Sequence, residues 1–180
     1  MSFKIQKGSL SGEILMYIFA TGEILSSEFF NPYQFSKALR QGRLPKTKSL
    51  ASAIYRLQKS GLIEFIEKGD ERIYKLTKTG TMEALFAKAK LPKELSWDGK
   101  WRLMVFDIPE KARQYRSKLR QLLRKNNFKK FQASVYISPY ALNMEAILYL
   151  QESGLSKYIR ILRIDQADNE VELKKMFNLK

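Results

Sequence analysis

Residues 49–80 read SLASAIYRLQKSGLIEFIEKGDERIYKLTKTG, and two changes of period inside this stretch decide the fold of the first half of the chain. Leu50, Ala53, Ile54 and Leu57 recur at helical spacing behind a cap at Thr47 or Ser49, and Gly61 supplies the stop. LIEFIEKGDERIYKL then reads as two short strands about a Gly69-Asp70 turn. Thr77 and Gly80 lead into a further helix through Met82, Leu85 and Phe86. Upstream, Ser9 or Ser11 caps a helix carrying Leu10, Ile14, Leu15, Ile18 and Phe19, closed by Gly22. Asn31-Pro32 opens a short helix through Tyr33, Phe35, Ala38 and Leu39 to Gly42.

Three helices, a hairpin and a helix is the order of a winged helix-turn-helix, expected over residues 1–90. With Leu50, Ile54 and Leu57 turned inward, the opposite face of the third helix presents Lys48, Ser49, Ser52, Tyr55, Arg56 and Lys59, with Lys46 just before it. A helix fits the major groove, where such side chains meet phosphates or base edges. Lys68 and Arg72 flank the hairpin tip, within reach of backbone phosphate. The alternative is that these charges are only the solvated face of a small domain.

Composition narrows the classes of function. The chain has 180 residues, 33 Lys+Arg against 18 Asp+Glu, and a net charge of +15. Both halves share the excess, +7 up to Leu95 and +8 after it. This points to a polyanionic partner, double-stranded DNA first. There is no Cys and no His, which removes thiol nucleophiles, Cys/His metal sites and imidazole bases. No cofactor is implied; an oxygen-ligated Mg²⁺ stays open. No apolar run is long enough for a bilayer. Glu13 stands just before the first apolar stretch and no small-residue cleavage site follows, so a cytoplasmic protein is expected.

A seam at residues 91–100, after Leu91-Pro92, separates a second domain over residues 101–180. WRLMVFDI (101–108) reads as a central strand, followed by a helix from about Glu110 to Asn126. FKKFQASVYISP gives two short strands or one bent one, Asn143 opens a helix using Met144, Ile147, Leu148 and Leu150, and YIRILRI closes as a strand. The order β-α-β-β-α-β is that of a ferredoxin-like domain, so the chain as a whole is α+β. Val171 to Leu179 reads as a terminal helix or strand that docks on a partner.

Two resemblances follow from these residues. The pattern Leu57, Gly61, Leu62, Ile63, Tyr74, Leu76, Thr77 and Gly80 resembles the winged-helix regulators of bacterial transcription. Trp97-Asp98-Gly99-Lys100-Trp101, Phe106-Asp107-Ile108-Pro109-Glu110, Arg116, Leu119-Arg120 and Val135-Tyr136-Ile137-Ser138-Pro139 resemble the central domain of the PaaX-type repressors. Phe106-Asp107-Ile108 and Gln132-Ala133-Ser134-Val135-Tyr136 are also similar to the small CRISPR-adaptation endonuclease. The resemblance implies a homodimeric, sequence-specific DNA-binding repressor, dimerised through its ferredoxin-like domain and acting by promoter occlusion, not an enzyme. Repressors of this type usually continue into a further C-terminal domain; the phenylacetyl-coenzyme A sensing implied for some members is not carried over, and any small-molecule effector is unknown.

Two rival readings stand beside it: a metal-dependent nuclease, or a DNA-bound scaffold that recruits another protein. In the CRISPR-associated endonucleases the Asp matching Asp107 is proposed to hold a divalent metal across a dimer axis, so the resemblance makes Asp107 a candidate Mg²⁺ ligand. The structural alternative has its carboxylate accept backbone N–H groups at the Ile108-Pro109-Glu110 turn. From Lys111 to Lys130 there are nine basic and no acidic residues, with Arg113, Arg116, Arg120 and Arg124 on one stripe. That stripe is either a second phosphate-binding surface or a set of partners for Asp165, Asp168, Glu170 and Glu172.

Overall fold

The computed structural model describes residues 9–26, 47–90 and 96–179. The chain divides into two compact units, residues 1–87 and 88–180. The helix expected from Asn31 to Gly42 lies outside the described residues.

In the first unit, helix α1 (Leu10–Thr21) starts where Ser9 accepts a hydrogen bond from the Gly12 N–H at 3.2 Å, and ends at Gly22, φ 89°. Strand β1 (Glu23–Leu25) follows directly. Three residues are too few to carry a period, so nothing in the sequence announced it. Helix α2 (Thr47–Lys59) buries Leu50, Ala53, Ile54 and Leu57. Strands β2 (Ile63–Lys68) and β3 (Glu71–Leu76) form the expected hairpin, and β1 adds to β3, giving an antiparallel sheet of order β1-β3-β2. Helix α3 (Lys78–Lys88) closes the unit. The core joins Ile14, Leu15 and Ile18 of α1 to Ile24, the buried face of α2, Leu62, Ile63, Tyr74 and Ala84.

Thr77 ties the end of the hairpin to the end of α2. Its hydroxyl donates to the Gly61 carbonyl at 2.6 Å and accepts from the Gly80 N–H at 3.0 Å, while its own N–H donates to the Leu62 carbonyl at 3.1 Å. The Thr-x-x-Gly pattern is therefore an N-terminal cap for α3.

In the second unit, strands β4 (Trp101–Phe106), β5 (Lys129–Gln132), β6 (Val135–Ser138) and β7 (Ile159–Ile164) form an antiparallel sheet of order β5-β6-β4-β7. Helices α4 (Gln114–Lys125) and α5 (Met144–Glu152) are the two connections, which completes the ferredoxin-like order. The first begins later than expected, because Glu110–Ala112 is a separate 3₁₀ turn. Met104, Phe106, Tyr136 and Ile159 are buried on one face, with Leu119, Leu122 and Leu123 of α4 and Ala146, Tyr149 and Leu150 of α5. Met144 and Leu148, expected inward, are exposed, since α5 meets the sheet through Ala146, Tyr149 and Leu150 instead.

The terminal segment is helix α6 (Glu170–Phe177), and it docks on its own unit. Leu173 and Phe177 pack with Trp101 and Ile137 on the other sheet face. Trp97, within the stretch read as a linker, joins the same cluster, its ring 5.0 Å from that of Trp101. No helix among the described residues is long and apolar enough to cross a membrane.

Candidate nucleic-acid interface

Helix α2 separates its residues cleanly. Leu57 and Ala53 are fully buried, while Ser49, Ser52, Tyr55, Arg56 and Lys59 are all exposed on the other side, Tyr55 at 62%. No acidic residue occurs in the helix. Lys59 lies 5.9 Å from the Tyr55 ring centroid, one turn away. Lys48 falls in the first turn of α2, and Lys46 lies outside the described residues. Ser49, Ser52, Tyr55, Arg56 and Lys59 thus share one open, cationic helix face.

The hairpin is less available than its sequence suggested. Lys68 and Arg72 are exposed, but the register sets Lys68 opposite Glu71, Arg72 opposite Glu67 and Lys75 opposite Glu64. Arg72 pairs with Glu67 at 3.5 Å and stacks 4.8 Å over the Phe65 ring. Lys75 pairs with Glu23 at 3.2 Å. Opposite charges across a hairpin neutralise each other locally, so the β2–β3 hairpin carries little unbalanced positive charge.

The Arg stripe of α4 divides in two. Arg113 reaches Glu110 at 3.3 Å. Arg116 pairs with the same carboxylate at 3.2 Å and donates to the Ile108 carbonyl at 2.6 Å. Both brace the turn after β4. Arg120 and Arg124 stay exposed, with no ion-pair partner among the described residues. Two of the four acidic residues proposed as their partners are engaged elsewhere, Asp165 with Lys100 at 2.5 Å and Glu170 with Lys174 at 3.1 Å. Beside Arg120 and Arg124 lies Lys130 of β5, a residue the helical spacing could not reveal because only the fold brings it there.

Asp107 is exposed just beyond β4, its N–H donating to the Tyr158 carbonyl at 3.0 Å. Among the described residues no donor reaches its carboxylate, so the turn is not held by Asp107. Arg116 and the Ala112 N–H to Pro109 carbonyl bond, 2.9 Å, hold it instead. No group of three acidic side chains placed to share a metal ion occurs among the described residues.

The Trp97–Trp101 motif forms a clasp. Gly99, at φ 75°, lets the chain reverse, Asp98 accepts from the Lys100 N–H at 3.1 Å, and Trp97 Nε1 donates to the Lys100 carbonyl at 3.0 Å. Arg102 closes the clasp on Asp98 and reaches the Pro139 carbonyl at 3.2 Å, joining two stretches that are remote in sequence. The Asp98 carboxyl is held well below the usual carboxylate range by the Arg102 fork, and Lys100 lowers the Asp165 carboxyl.

Residues 94–175 match the family model described as the PaaX protein central Cas2-like domain. The second unit is similar to a PaaX-type central domain over those residues. No curated protein matches the chain. Within this PaaX-type domain the distinctive motifs now have physical roles: the clasp, the braced turn after β4, and the central strand β6 with buried Tyr136, Ile137 and Ser138.

Proposed function

We propose that this protein is a DNA-binding transcriptional regulator, a repressor whose first unit is a winged helix that reads double-stranded DNA through α2. The PaaX family is one of transcriptional regulators. The observation that carries the reading is the outward face of α2, where Ser49, Ser52, Tyr55, Arg56 and Lys59 stand exposed above a fully buried apolar face with no carboxylate in the helix. Such a face supplies groove-directed donors and phosphate-binding cations together. Lys68 and Arg72 are secondary contacts, restrained by Glu71 and Glu67.

The active species is a homodimer joined through the PaaX-type domain, which suits a two-fold operator. Supporting this, β7 has a single strand neighbour among the described residues, and its Ile161 and Leu162 are about half exposed, at 48% and 47%. An edge strand with apolar residues outward favours a second chain. The bound dimer occludes a promoter, without a cofactor.

The test is capture of fragmented host genomic DNA by the purified protein in EDTA at near-physiological salt, with the retained fragments sequenced. A two-fold-symmetric site near a promoter is expected, lost with Arg56→Ala/Lys59→Ala. Uniform retention by both proteins would overturn the reading.

A further inference from the structure

Outside the α2 face, the described residues include a concave, strongly basic site. Arg120 and Arg124 of α4, Lys129 and Lys130 of β5, and the rings of Phe128 and Tyr136 line an open cavity of about 350 Å³. Phe128 and Tyr136 are buried and form an apolar floor. Lys130 pairs with Tyr136 in the β5–β6 register, so it stands on the same sheet side as that ring and faces α4. Lys129 is committed elsewhere, donating to the Met176 carbonyl and lying over the Phe177 ring.

Arg120, Arg124 and Lys130 are exposed, and no carboxylate among the described residues pairs with any of them. The contrast lies at the start of the same helix, where Glu110 of the preceding 3₁₀ turn pairs with both Arg113 and Arg116. Like charges at i,i+4 oppose helix formation by a few tenths of a kcal/mol. Two guanidinium groups so spaced, with an ammonium across a cleft, match the oxygens of a phosphate group, which take fork-like pairs of N–H donors.

We propose that Arg120, Arg124 and Lys130 form a phosphate-binding site of the PaaX-type domain, separate from the α2 face. The phosphate belongs either to the DNA backbone, in which case the site rests on the function proposed above, or to a free phosphorylated small molecule. The shared chemistry is a phosphate group held by two guanidinium forks and one ammonium over an apolar floor.

The experiment compares the full chain, Arg120→Gln/Arg124→Gln, and the charge-matched control Lys157→Gln/Lys175→Gln. All four positions are exposed, so each protein should fold. One arm measures the thermal shift produced by inorganic diphosphate, and the other the slope of log affinity for duplex DNA against log salt. A DNA-backbone phosphate predicts a slope shallower by roughly two for the Arg variant only. A free phosphorylated ligand predicts a diphosphate shift in wild type and control, absent from the Arg variant, with the DNA slope unchanged. An Arg variant that matches the control in both arms overturns the site. Should wild type bind no DNA, the regulator reading fails and the diphosphate arm alone decides the site.

Discussion

Asp98 and Arg102 meet in a two-point fork, Nη1 2.5 Å from Oδ1 and Nη2 2.6 Å from Oδ2. The guanidinium also donates to the Lys100 and Pro139 carbonyls, so one side chain ties the clasp before β4 to the end of β6. The fork holds the Asp98 carboxyl below its ordinary range, against the opposing effect of burial. A carboxyl depressed in the folded state stabilises the fold above its unfolded value, and that stabilisation fades as pH falls through the folded one. Asp98→Asn is therefore expected to lower the melting temperature of the second unit at neutral pH. The gap to wild type should hold down to about pH 5, begin to narrow below about pH 4, and close only as pH falls further towards the depressed folded value. Thermal circular dichroism from pH 3 to 7 checks this; a gap that does not depend on pH would contradict it.

Gly80 is a point of close approach. A Cβ there would sit 1.9 Å from the Leu62 carbonyl oxygen, and that oxygen already accepts the Thr77 N–H. Neither backbone can yield without opening the α3 cap. Gly80→Ala should destabilise the first unit by about 3 kcal/mol, with the second unit unaffected. Urea unfolding followed by circular dichroism, with the Trp97 and Trp101 fluorescence reporting the second unit, separates the two.

The elements most legible in the sequence were those with a full period and a chemical stop. Ser9, Gly22 and Gly61 bounded helices, Gly69-Asp70 turned the hairpin, and Asn143 capped α5. The β4 strand was plain because Trp101, Met104 and Phe106 are buried within a nearly unbroken apolar run. What the sequence hid was tertiary. Glu67 and Glu71 face Arg72 and Lys68 only through hairpin register, so the wing looked more basic than it is. Arg113 and Arg116 share a stripe with Arg120 and Arg124, yet only the turn after β4 brings Glu110 to the first pair. Lys130 joins the second pair across a strand boundary, where helical spacing has no reach.

Helix α6 shows how an apolar tail can be read outward when it folds inward. Leu173 is fully buried against Trp101, and the Phe177 ring lies 5.8 Å from that indole. Leu173→Ala should cost roughly 2–5 kcal/mol and shift the tryptophan emission to the red as water reaches Trp101. A partner-docking tail would instead tolerate the change, leaving both the melting curve and the emission as in wild type.

Asp107 is exposed and holds no described donor, so its replacement has little structural consequence. For a regulator, Asp107→Ala should bind operator DNA in EDTA with unchanged affinity, and wild type should leave supercoiled plasmid intact in Mg²⁺. Agarose gels after prolonged incubation read the second point. Nicking by wild type that disappears in Asp107→Ala would transfer the function to the nuclease.

The β2–β3 hairpin offers the sharpest test of whether, under the proposed function, the first unit meets DNA through a wing, because its cations are restrained by neighbours that can be neutralised. Arg72 lies 3.5 Å from Glu67 with both side chains more than half exposed, and an exposed pair of this kind is worth under about 1 kcal/mol. Breaking it scarcely affects folding, yet it releases a charge next to the hairpin tip. If the wing lies along the backbone, Glu67→Gln/Glu71→Gln frees Arg72 and Lys68 and removes two repelling carboxylates at once. Affinity for duplex DNA should then rise by roughly threefold to tenfold at low salt, with a steeper salt slope. The same changes in a wing held away from DNA leave both quantities where they were, and reading would then rest on α2 alone. Fluorescence anisotropy across a salt series distinguishes the two, and melting temperatures matching wild type establish that the difference comes from charge and not from folding.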